Sequence, residues 1–129
     1  MLIQKEINDF EIDEGQLEKT NILLGNGKIR KIFVVFEKDT AGASLTILTK
    51  EGEVVLDVES SLEPEVYYPR VNTSSGRYQD SISAVVEENQ ARMEPFYFFG
   101  GLVVKVERDE AGETQKIIKH LSILYDGSS

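Results

Sequence analysis

Apolar and polar residues alternate with a period of two through most of this chain, and that rhythm restricts its fold more than any other feature. Successive side chains of a strand point to opposite faces, so period two marks a segment with one face buried and one face wet. Ser44 to Thr49 puts Leu45 and Ile47 on one face, while Val54, Leu56 and Val58 alternate with Val55, Asp57 and Glu59. The polar stretch Lys50-Glu51-Gly52-Glu53 between them predicts a hairpin. Leu102, Val104 and Val106 alternate in the same way, and Ile117 to Tyr125 forms a last strand. The loop Asp109 to Glu113 predicts that these two also form a hairpin. Thr20 to Leu24 and Lys28 to Phe36 flank Gly25-Asn26-Gly27, residues that tolerate the positive φ of a tight reversal, which predicts a third. Ile32 to Phe36 is apolar at every position and belongs in the middle of a sheet. Leu2 to Ile7 and Ser81 to Val86 bring the count to about eight strands.

Helix finds little support. Glu87 to Met93, stopped by Pro95, and Glu14 to Thr20 are each long enough for a turn or two. Short strands joined by turn-rich loops, without alternating helices, predict an all-β fold: a single antiparallel β-sandwich or jelly roll. The 129 residues suit one domain. Glu59 to Asp80 carries proline, serine and tyrosine between alternating strands and reads as a long inter-strand loop, a common place for binding function.

Charge and residue chemistry narrow the function. With 14 Lys and Arg against 23 Asp and Glu the net charge is −9, which opposes direct binding to nucleic acid phosphates or an anionic membrane. The absence of cysteine removes disulfides, thiolate nucleophiles and Cys-containing metal sites. His120 is the single histidine, without the spacing of a metal motif or a nucleophile elbow. These features predict a protein that is not an enzyme and needs no cofactor. Met1 to Glu6 lacks the pattern of a secretory signal, and Phe96 to Val104 is too short for a membrane helix.

Four groups of residues are candidates for binding. Tyr67-Tyr68-Pro69-Arg70-Val71 combines the residue types enriched at interface hot spots, with Tyr67 and Val71 alternatively buried in the sandwich and Tyr68 and Arg70 at its rim. Phe96-Tyr97-Phe98-Phe99 puts rings on both faces of one strand, so either the strand is central or one face meets another subunit, and Phe98 joins Tyr67, Tyr68, Pro69 and Arg70 as a partner contact. Asp9, Glu11 and Asp13 offer oxygen ligands at alternate positions for calcium. Against this, Glu14 sits where the loop glycine belongs and Thr20 where the bidentate glutamate belongs, and an edge strand with Phe10 and Ile12 inward explains the same residues. Lys28, Arg30 and Lys31 form the one basic cluster, either a solvated turn or a contact for an acidic partner surface.

The order of these segments resembles the head-decoration and minor capsid proteins of tailed phages and related viruses. The resembling elements are Lys28 to Phe36, Ser44 to Val58, Tyr67 to Arg70, and Gly101 to Val106 with Leu121 to Tyr125. Residues 1–25 match nothing in that pattern and are left as an attachment segment. The resemblance implies a non-enzymatic virion protein, assembled in the host cytoplasm and present in many copies, whose partners are the major capsid protein and itself. The residues alone leave a rival: a small ligand-binding module for calcium or carbohydrate, with Tyr67 and Tyr68 as a stacking platform.

Overall fold

The structure is a computed structural model that describes residues 1–72, 77–79 and 93–127. Its strands are β1 (Leu2–Ile12), β2 (Glu18–Leu23), β3 (Gly27–Phe36), β4 (Ser44–Thr49), β5 (Val54–Glu59), β6 (Glu65–Tyr67), β7 (Arg70–Asn72), β8 (Arg77–Gln79), β9 (Met93–Pro95), β10 (Tyr97–Phe98), β11 (Leu102–Glu107) and β12 (Gln115–Gly127). One sheet runs β1-β12-β3, with β10 and β6 sharing the outer edge of β3; a second runs β2-β11-β4-β5. All pairings are antiparallel. Apolar faces of the two sheets close on each other in one core of Ile12, Ile29, Ile32, Leu45, Ile47, Leu56, Val104, Val106, Leu121 and their neighbours, which makes a β-sandwich. A small third sheet, β8-β7-β9, grows from the edge between β6 and β10.

Alternation sets the faces. On β11, Leu102, Val104 and Val106 are buried while Val103, Lys105 and Glu107 are half-buried on the outer side. β3 keeps the same rhythm within its all-apolar stretch: Ile32, Val34 and Phe36 face the core, and Phe33 and Val35 the outer side. With β12 on one flank and β6 and β10 on the other, it lies inside the sheet as its composition predicts.

The β4–β5 hairpin forms as expected, with a bulge between Ile47 and Leu48. The other two hairpins do not. Leu23 and Gly27 belong to different sheets, so the Gly25-Asn26-Gly27 turn is a corner that carries the chain across the sandwich. Its glycines answer to crowding: a Cβ on Gly25 would meet the Tyr125 hydroxyl at 2.7 Å. β11 and β12 likewise lie in opposite sheets, and Asp109 to Glu113 is a second corner. Arg108 fastens it by donating to the carbonyl oxygens of Gln16 (2.9 Å), Glu113 (2.7 Å), Asp13 (3.2 Å) and Gly112 (3.3 Å).

Two local expectations are also corrected. The segment from Glu14 to Thr20 forms a turn and then enters β2, because Glu18, Lys19 and Thr20 pair with Glu107, Val106 and Lys105. The stretch from Glu59 to Asp80 contains β6, β7 and β8, and β6 adds to the main sheet opposite Ile32, Phe33 and Val34. Ser81 to Val86 and Glu87 to Arg92 lie outside the described residues, while Met93 opens strand β9. Among the described residues there is no helix.

Candidate functional site

Both candidate segments converge on one corner of the sandwich, at the edge of β3. β10 pairs with Gly27 and Lys28, and β6 with Ile32 to Val34, so the edge of β3 between them, at Ile29 to Lys31, is open to the chain that crosses there. The Ile29 amide donates to the Phe96 carbonyl oxygen at 2.9 Å. Tyr67 and Pro69 are buried, and Tyr68 between them is 48% exposed. Tyr97 stands directly opposite Lys28 on the paired strands, so the two side chains share the outer side, and Tyr97 is 57% exposed. Phe99, 63% exposed, follows at the same end.

Phe98, expected at a partner contact, is instead a core residue. It is 2% exposed and meets Tyr125 edge to face, with ring centroids 5.1 Å apart. Alternation gives the reason: Phe96 and Phe98 turn inward, and only Tyr97 and Phe99 turn out. Four consecutive aromatics therefore divide into two core rings and two surface rings.

Cations gather around these exposed rings. Arg30 sits at a bulge of β3 against β12, 3.3 Å from Asp126. Burial and the nearby Arg30 guanidinium hold the Arg70 guanidinium below the ordinary arginine value, with Tyr68 acting in the opposite direction. Arg70 donates to the Pro69 carbonyl oxygen at 2.7 Å. Among the described residues, no carboxylate lies within 4 Å of Arg70, Lys28, Lys31 or Lys50. Arg70, half-buried and without a described carboxylate partner, is a place where an incoming anionic group would be stabilised.

The remaining candidates do not join this corner. Phe10 and Ile12 point into the core, Asp9 and Glu11 are exposed on the edge strand β1, and Asp13 is exposed just beyond its end. Asp9 is 3.4 Å from Lys116 and Asp13 is 2.7 Å from Lys19, and among the described residues no three acidic or histidine side chains converge as a metal site would require. His120 bonds Asn8 through Nδ1 at 2.6 Å and packs beside the Phe33 ring, in a side-chain cluster on the outer face of its sheet. An open depression of about 550 Å³ lies at the opposite end of the sandwich, among Ala41 and Arg108 to Gln115.

Arg30 and Arg108 are the residues that sequence reasoning understated. Arg30 was one of three cations in a turn, and nothing in its neighbourhood in sequence points to Arg70. Arg108 lies at a strand end, and its role depends on loops from distant parts of the chain. No family model, no curated protein and no solved structure matches this chain.

Proposed function

We propose that this chain is a non-enzymatic structural protein of a viral particle, a decoration or minor capsid component held in many copies against the major capsid protein. In this reading the corner of Tyr68, Arg70, Arg30 and Tyr97 is a protein-contact surface. The observation that carries it is that corner: exposed Tyr68 and Tyr97 beside Arg70, which has no carboxylate within 4 Å among the described residues, on a chain whose net charge is −9. Tyrosine and arginine supply large contact areas with polar ends, the combination found at interface hot spots. Repetition does the rest, since modest contacts repeated over a lattice give firm attachment. The order of the strand segments, which resembles such virion proteins, supports the same reading.

The test uses antiserum raised against the purified chain. Particles from the source organism's cultures are banded on a density gradient and probed across the fractions. The chain should travel with the particle band; finding it only at the top of the gradient, with the small soluble proteins, refutes the proposal.

A further inference from the structure

Charge is distributed unevenly along the long axis of the sandwich. At one end the loops 13–17, 37–43 and 108–114 hold seven carboxylates against the two cations Lys38 and Arg108. The strand ends Glu18, Ser44, Glu59 and Glu107 lie side by side there and add three more acids, of which Glu18 and Glu107 share Lys105, as Asp13 pairs with Lys19. Arg108 at this end is taken up by backbone carbonyl oxygens. Glu14, Asp109, Glu110 and Glu113 have no cation within 4 Å among the described residues. The other end holds the cationic corner, with Lys50 lying against Gly100 beside it, so that Lys28, Arg30, Lys31, Lys50 and Arg70 stand there against Glu51, Glu53 and Asp126. Both ends expose apolar side chains, Leu17 and Leu62 with the acids, Leu24 and Phe99 with the cations.

We propose that copies of this chain join end to end, the acidic end of one sandwich seated on the cationic and aromatic corner of the next. The inference rests on the corner being a protein-contact surface and names its occupant as a second copy. The two surfaces are complementary in charge: the unpaired Arg70 guanidinium and lysine ammonium groups with exposed rings on one, unpaired carboxylates on the other. The overall negative charge does not prevent this at moderate salt. Screening over about 8 Å at 0.15 M removes most of the repulsion between distant charges while leaving contact pairs a few ångströms apart. The two surfaces differ, so the contact is heterologous, and repeated addition gives a ring if the rotation closes and an open chain if it does not.

Sedimentation velocity on the full chain tests this. The sedimentation coefficient should rise steadily with protein concentration at about 0.15 M salt and pass beyond a dimer, and the affinity should fall about tenfold by about 0.5 M salt. R30E/R70E should stay monomeric alone. Added to the unaltered protein it should shorten the assemblies, because its intact acidic end can still cap a free corner. E110K/E113K, altered only in an exposed loop, should behave in the same way and serves if the arginine variant fails to fold by circular dichroism. A monomer at every concentration, a salt-insensitive dimer, or assembly unchanged by either pair of substitutions overturns the inference. A chain that bands with particles but stays monomeric when purified refutes this inference alone. A chain that assembles in this salt-dependent way but is absent from particles refutes the proposed function alone.

Discussion

Gly27 opens β3 between Phe98 on β10 and Gly127 on β12, where three strands meet at one level of the sheet. Its backbone needs no left-handed conformation, so what alanine would lose there is space. The added Cβ would lie on the Asp126 carbonyl oxygen and 2.7 Å from Cδ2 of Tyr125. Relief requires β3 and β12 to part at this level, which removes hydrogen bonds worth about 1 kcal/mol each. It also requires the Tyr125 ring to move against Phe98, an overpacking cost of about 1–3 kcal/mol. Gly27→Ala should therefore destabilise by about 3 kcal/mol, lowering the melting temperature by on the order of 10 °C. Two further glycines act as controls in the same calorimetric series. Gly112 has no atom within 4 Å of its would-be Cβ, so Gly112→Ala should fall within about 0.5 kcal/mol of the unaltered chain. Gly52 is equally open but sits at φ +92°, so Gly52→Ala should cost about 1 kcal/mol from backbone strain alone. If Gly27→Ala melts within about 2 °C of the unaltered protein, the packing argument for this corner is wrong.

Three other outcomes follow from the same geometry. A double-mutant cycle of Phe98→Leu and Tyr125→Leu, read by urea denaturation, should show a coupling of about 1 kcal/mol from the edge-to-face pair; additive losses would contradict a specific ring contact. Arg108→Lys should cost about 2 kcal/mol by the same measurement, because one ammonium cannot reach the carbonyl oxygens that the planar guanidinium spans; an unchanged midpoint would mean that the corner loop holds itself. Millimolar calcium should leave the melting temperature unchanged, since Asp9 and Asp13 each face a lysine and no three acidic side chains converge among the described residues. A rise of several degrees would instead favour the ligand-binding module.

The fold class was legible because alternation is local. Leu45 and Ile47, or Val104 and Val106, declare a buried face without reference to anything distant. Which strands pair was less legible. Gly25-Asn26-Gly27 and Asp109 to Glu113 have the composition of hairpin turns, yet both carry the chain between sheets. The difference lies in what surrounds them: the Tyr125 side chain over Gly25, and the Arg108 guanidinium gathering carbonyl oxygens from two loops. Phe96 to Phe99 shows the same limit. Their number marked the segment, while the register of β10 on β3 decided that Phe98 turns in and Tyr97 turns out. That the Tyr67–Arg70 and Phe96–Phe99 segments share a corner depends on β6 and β10 meeting one edge of β3, which no short-range pattern encodes.

The corner's role as a contact surface is tested most directly by lysine acetylation footprinting on purified particles, compared with the free chain under dilute conditions. Lys28 and Lys31 should be protected on the particle, whether a second copy or the capsid protein covers them, while the exposed Lys119 keeps its free-chain rate. Equal labelling of Lys28 and Lys31 in both states would contradict the account.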